Sequence, residues 1–173
     1  MPDQLAFRRE LVSLLPRLRR FALALAGNRD AAEDLLQSAV ERALGKWDSY
    51  EKEKRLASWM FKLMQNLWFD MRRAAANGPI YSGEPPDMVG EDGRELAEAR
   101  EELRLVREAF AALPEDQRAV LALVVLEGFS YAEASEALGV PIGTVMSRLS
   151  RGRASLAASA RGSVIIAPIR KEH

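Results

Sequence analysis

Residues 130–156, SYAEASEALGVPIGTVMSRLSRGRASL, constrain the fold more than any other stretch, because they read as two helices joined by a tight turn. An Ala- and Glu-rich helix runs into Gly139, Val140 and Pro141. A second helix then begins with proline near its first turn, where a missing N–H costs little. Two helices joined in this way make the helix-turn-helix, the unit that sets its second helix into the DNA major groove. At about 100° per residue, Ile142, Val145, Leu149 and Leu156 share one stripe that must face the interior, and Thr144, Ser147, Arg148, Arg151 and Ser155 fall on the opposite arc. Arginine forks onto guanine edges or phosphates and hydroxyls reach either, so this arc has the chemistry of a groove reader. The plain alternative is a solvated amphipathic face. Charge favours the reader: from Ile142 to Lys171 there are six basic residues and no acidic one, whereas a merely solvated helix mixes signs.

Composition removes most competing functions. The chain has 173 residues, 48% hydrophobic and 29% charged, which suits one medium domain or two small ones in a soluble globular protein. No apolar run approaches the roughly 18 residues of a membrane span, and the N-terminus lacks a basic-then-apolar signal, so a cytoplasmic location without membrane insertion is expected. There is no cysteine, which excludes disulfides, thiol catalysis and thiolate zinc sites. The single histidine is His173, which removes Ser-His-Asp chemistry and histidine metal clusters. Neither GxxxxGK[ST] nor GxGxxG occurs. No catalytic residue, cofactor or metal is expected. An enzyme built on carboxylates alone is the remaining catalytic alternative, and the acidic residues sit instead at ordinary helical salt-bridging spacing.

A net charge of zero conceals segregation. Residues 1–76 carry 14 Lys/Arg and 10 Asp/Glu, residues 77–103 carry 2 and 8, and residues 104–173 carry 9 and 7. The acidic middle piece contains NGPIYSGEPPDMVGEDG, where Gly, Pro, Asp and Ser cluster without apolar periodicity, as in a linker. The expected fold is therefore all-α: two small helical domains, 1–76 and 104–160, joined by an acidic flexible linker at 77–103 and followed by a tail at 161–173. The tail, with Ile165, Ile166 and Ile169 among basic residues, reads either as a frayed end or as a docking segment.

The first domain reads as three helices. The first covers about 5–26, with Pro16 expected to kink or break it. The second starts from Asp30 as N-cap with Glu33 as capping-box partner and runs to about Leu44. Its Asp34, Gln37, Glu41 and Arg42 lie off the apolar stripe, as solvated positions or as a partner surface. The third, about 56–76, is ringed by Trp59, Met60, Phe61, Leu63, Met64, Leu67, Trp68, Phe69 and Met71, with Lys62, Asn66, Asp70, Arg72 and Arg73 between them. Such a helix suits the centre of a bundle. Interleaved aromatic, amide and basic groups also suit unpaired bases, and the polar loop before it, with Tyr50, suits a flipped base.

The stretches DAAEDLLQSAVERAL (30–44), LASWMFKLMQNLWFDMRR (56–73) and LPEDQRAVLALVVLEGFSYAEASEALGVPIGTVMSRLSRGR (113–153) resemble, in order and spacing, conserved regions 2 and 4 of the extracytoplasmic-function (group 4) sigma factors of bacterial RNA polymerase. The resemblance implies a promoter-specific initiation factor whose partners are core RNA polymerase and promoter DNA. Matched position by position, it implies that Asp34, Leu35 and Gln37 dock on the clamp helices of the largest polymerase subunit. Asn66 and Asp70 match the face that reads the −10 element, with Tyr50 in the loop that holds a flipped base, and Arg72 and Arg73 extend that face. Thr144, Ser147, Arg148 and Arg151 match the −35 recognition helix. Met146 and Ser150 stand where relatives often carry basic or bulky contact residues, Ala39-Val40 departs from the usual charged residue and Phe, and Ser135 replaces the usual Ala, with its hydroxyl expected to bond to its own helix. SWMFKLMQNLWFDMRR and GVPIGTVMSRLSR are further similar to the alphaproteobacterial general-stress-response sigma factors, which implies a small helical anti-sigma protein as a partner. Two alternatives stay open at this stage: a stand-alone helix-turn-helix regulator, and a sigma-domain mimic that only holds an anti-sigma protein.

Overall fold

The computed structural model describes residues 4–50, 55–76 and 104–159. The linker at 77–103 and the tail at 161–173 lie outside the described residues, as does most of the loop after Tyr50.

Helix α1 spans Gln4–Ala26 and buries Phe7, Leu11, Leu14, Leu18, Phe21 and Leu25 along one face. It is one continuous helix through Pro16, without the broken turn that was one of the two expected outcomes. Pro16 and Val12, four residues earlier, both lie on the exposed face, so the carbonyl that loses its helical donor is open to solvent. Gly27 then takes a positive φ of 75°, which ends the helix at no steric cost. Helix α2, Arg29–Gly45, is capped by Asn28, whose side-chain oxygen accepts from the Ala31 N–H at 2.9 Å. The expected cap, Asp30, sits instead in the first turn, where its charge faces the positive end of the helix dipole. A short turn at Trp47–Ser49 leads toward α3, Leu56–Ala76. Leu18, Phe21, Leu25, Leu35, Leu56, Met60, Phe61 and Met64 are fully buried between these three helices, and the Phe21 and Phe61 rings meet edge to face at 4.8 Å.

The second module begins with helix α4 at 104–111. Helix α5, Glu115–Leu121, continues into a π-helical turn at Ala122–Leu126. Helix α6, Tyr131–Leu138, opens with a capping box: Ser130 Oγ accepts from the Glu133 N–H while the Glu133 carboxylate accepts from the Ser130 N–H. It closes on Gly139 in the left-handed region at φ 65°, ψ 34°, which turns the chain into α7, Ile142–Ser159. Ser135 does not bond to its own helix as expected: its hydroxyl donates to the Val140 carbonyl at 2.6 Å, across the turn, and so fixes the angle between α6 and α7. Val145 and Leu149 fill the core, Leu156 is half-buried, and Ile142 is 46% exposed, which removes it from the predicted interior stripe. At Gly152 an added Cβ would lie 2.7 Å from Leu121 Cδ1, so the absence of a side chain there lets α7 approach α5 closely.

The two modules pack on each other. Phe129, just after the π turn, meets Phe61 edge to face at 5.4 Å. The Arg118 guanidinium donates to the Leu25 carbonyl at 2.7 Å and to the Ala111 and Leu113 carbonyls at 2.6 and 3.1 Å, closing the C-terminal end of α1 with a side chain from α5. Glu127, delivered by the π turn, has a side chain only 1% exposed and is gripped by Arg17 at 2.7 Å and Arg20 at 3.1 Å, both on α1.

Candidate nucleic-acid interface and partner faces

The first candidate surface is the outer face of α3. Asn66, Asp70 and Arg73 are exposed and line a groove of about 420 Å³ together with Arg42 and Lys46 from the end of α2, over a floor of Leu63, Leu67 and Phe69. Three cations face one carboxylate there, so the groove favours an anion, and its apolar floor offers a flat partner for a base. Sequence reasoning did not assemble Arg42 and Lys46 with Asn66 and Asp70, because the two sets lie on different helices. Tyr50 packs between Phe7 and Trp59, at 5.7 Å from each ring, and burial, reinforced by Glu10, holds its hydroxyl above the usual tyrosine range. Trp59 and Asn66 are seven residues apart on one face of α3, a rise of about 10 Å, so Tyr50 and the groove lie along a single track. Arg72 does not join that track. Its guanidinium lies over the Trp68 ring and pairs with Glu115 on α5 at 2.7 Å, which takes it off the expected −10 face in this packed state.

The second surface is α7. Ser147 and Arg151 are exposed, and Arg151 folds back so that its guanidinium donates to the Ser147 carbonyl and hydroxyl at 3.3 and 3.4 Å. Thr144 is half-buried and its carbonyl accepts from Ser147 Oγ. Arg148, expected on the same open arc, is folded against α5: its Nε pairs with Asp116 at 2.9 Å and only 22% of its side chain is exposed. At position 148 the arc turns back toward the interior, so Arg148 flanks the reading face rather than leading it.

The third surface is α2. Asp34 and Gln37 are exposed, and the Gln37 amide donates to Glu41 one turn on, at 3.0 Å. Leu35 does not share that surface. It is fully buried, because it falls on the apolar stripe with Ala32 and Ala39, and it holds the helix in place beneath the two polar residues.

An α-helical pair of modules with a helix-turn-helix in one and an aromatic, cation-lined groove in the other defines a DNA-reading protein. Comparison with known proteins sharpens that class. Residues 103–156 match the family described as Sigma-70, region 4, and residues 11–65 match the Sigma2 domain of PhyR. The ECF RNA polymerase sigma factor EcfG of Rhodopseudomonas palustris is 35% identical over 159 residues, covering 91% of this chain and 87% of that protein. The ECF RNA polymerase sigma factor SigW of Bacillus subtilis is 27% identical over 165 residues, covering 89% and 88%. Among solved structures, the sigma factor RpoE of Bartonella quintana, crystallised with the anti-sigma factor NepR, is 31% identical with a TM-score of 0.74, covering 92% of this chain and 99% of that one. The chain belongs to the extracytoplasmic-function sigma factors, of the alphaproteobacterial stress type. It is therefore an initiation factor and not an enzyme.

Proposed function

We propose that this chain directs promoter-specific initiation by docking on core RNA polymerase through α2 and reading the promoter with two separate modules. In this reading residues 1–76 form the polymerase and −10 domain, 77–103 the tether, 104–160 the −35 domain and 161–173 a tail. Asp34 and Gln37 are the polar contacts to the polymerase clamp, carried by the buried Leu35. The groove of Asn66, Asp70 and Arg73, extended by Arg42 and Lys46, takes unpaired −10 bases and their phosphates, with Tyr50 further along the same face. Thr144, Ser147 and Arg151 lead at −35, and Arg148 joins them on release from Asp116. The protein works in the cytoplasm, where the polymerase is. Among the described residues no helix is long and apolar enough to cross a membrane.

The observation that carries the reading is the pair of cation-rich faces, one on α3 and one on α7, in a chain whose two modules match sigma regions 2 and 4. Packed together, the modules occupy one body roughly 40 Å across for a chain of this length. Two promoter elements about 25 base pairs apart span roughly 85 Å of duplex at 3.4 Å per step. The packed state therefore cannot read both, and docking on polymerase must separate the modules. Once they are held apart, each raises the effective concentration of the other at its element. Trapped −10 bases shift the DNA toward the open form by differential binding, without chemistry by this chain. The Bartonella relative is held by an anti-sigma factor, and a small helical anti-sigma protein controlling this chain fits the same reading.

The roles of the two faces separate experimentally. Arg151→Ala is expected to lower transcription from the cognate promoter by about 5- to 150-fold, with binding to core polymerase intact, because one base-reading side chain accounts for about 1–3 kcal/mol. Asp34→Ala is expected to weaken core binding measured by pull-down. The reverse pattern would overturn the assignment of the two surfaces.

A further inference from the structure

The recognition helix carries an apolar edge that neither the core nor the arginines explain. Met146 is 52% exposed and Ile142, one turn before it, is 46% exposed. Both lie on the flank of α7 away from Thr144 and Arg148, with Ser147 and Ser150 between the two flanks. The N-terminal half of such a helix is the part that reaches base edges in the major groove. There the feature that an apolar side chain recognises is the thymine C5-methyl, while hydroxyls and guanidinia take the purine acceptors. Everything around the edge suits nucleic acid rather than a protein groove: α7 contains three arginines and no acidic residue. The six acidic residues of the second module all lie outside α7.

We infer that Met146, backed by Ile142, is a specificity-determining residue that reads a thymine methyl group in the −35 duplex. The inference rests on the proposed −35 role of α7. It assigns the two edges of the helix different tasks: Ser147 and Arg151 meet polar base edges and phosphates, and Met146 meets the methyl of a thymine on either strand. Long, unbranched and flexible, a methionine adapts its thioether to that methyl without a fixed rotamer.

The test uses full-length protein assembled with core bacterial polymerase, on a promoter obtained by selection from DNA randomised at −35 and −10. Each thymine of the −35 element is replaced in turn by uracil, which deletes only the C5-methyl. Wild-type holoenzyme is expected to lose affinity about fourfold at one position, the factor that burial of a single methyl group supplies. Met146→Ala is expected to bind the thymine promoter more weakly and to be indifferent to uracil at that position, with an unchanged salt dependence because no phosphate contact is removed. Met146 is exposed, so the variant folds, and unaltered core binding checks this. An equal uracil penalty in both proteins, no penalty at any thymine, or a selected −35 element without thymine would each overturn the inference. Arg151→Ala, measured alongside, distinguishes this from failure of the underlying reading: if it too leaves −35 binding unchanged, α7 is not the reader at all.

Discussion

Glu127→Gln is the substitution that most directly probes the packed state. The Glu127 carboxylate is nearly sealed, and it accepts from Arg17 Nε at 2.7 Å and from Arg20 at 3.1 Å. The Arg17 guanidinium also sits 5.8 Å from the centroids of both Phe61 and Phe129, so the ion pair and the ring contact form one junction between the modules. A charge-assisted hydrogen bond contributes about 1.5–3 kcal/mol when buried. Here the two arginine side chains are 34% and 54% exposed, so solvent screening brings the pair together to about 2 kcal/mol. Glutamine keeps the volume and one acceptor and removes the charge. The ratio of packed to separated molecules is therefore expected to fall by about 30-fold. The chain has no cysteine, so dye labels at Ser13→Cys on α1 and Ala158→Cys on α7, both exposed, report separation by single-molecule energy transfer. Helix content should not change, because each module keeps its own core. A separated fraction no larger in Glu127→Gln than in the parent would refute the view that this junction holds the modules together.

Two further perturbations act through single contacts. Arg118→Ala leaves the carbonyls of Leu25, Ala111 and Leu113 without their donor, and thermal unfolding is expected to reveal a loss of about 2–4 kcal/mol. Burial holds the Arg118 pKa below the usual arginine value, with Glu115 opposing and Arg72 adding to that shift. Ser130→Ala removes the N-cap of α6 and should cost about 1 kcal/mol at pH 7. Glu133, its partner, has a pKa held below 4.5 chiefly by the hydrogen bond from the Ser130 backbone N–H. A depressed folded-state pKa adds stability that is complete above the unfolded value and is lost as pH falls through the folded one. The cap should therefore weaken below about pH 4.5, and the difference between Ser130→Ala and the parent should narrow in unfolding curves taken there.

Periodicity made α1, α2, α3 and α7 legible in the sequence, because an apolar stripe at 3.6-residue spacing has one way to be buried, whereas α4, α5 and the π turn drew no such reading. The turn at Gly139 was legible for a similar local reason: a left-handed residue between two short helices favours glycine. Local rules failed where a competitor stood within a residue or two. Asn28 took the cap from Asp30 because Gly27 had already ended α1. For Leu35 the local rule held: its spacing with Ala32 and Ala39 puts it on the buried stripe of α2, and only the resemblance assigned it to the polymerase contact. Ile142 fell on the right angle of α7 but lies at its first residue, beyond the reach of the core.

Contacts between distant segments were not legible at all. Glu127 and Arg17 are 110 residues apart, and nothing in either segment names the other. Arg72 and Arg148 read as free DNA contacts because their partners, Glu115 and Asp116, belong to another helix. The groove of Arg42, Lys46, Asn66 and Asp70 likewise exists only once α2 lies beside α3.

The measurement closest to the central claim is run-off transcription with purified core bacterial polymerase and this chain on DNA bearing randomised −35 and −10 elements, with a pull-down of core alongside. Promoter-dependent transcripts sharing one −35/−10 pair, with core retained by the chain, are the expected result. Failure of the pure chain to bind core, with specific DNA binding in the absence of polymerase, would contradict it and leave a free-standing helix-turn-helix regulator.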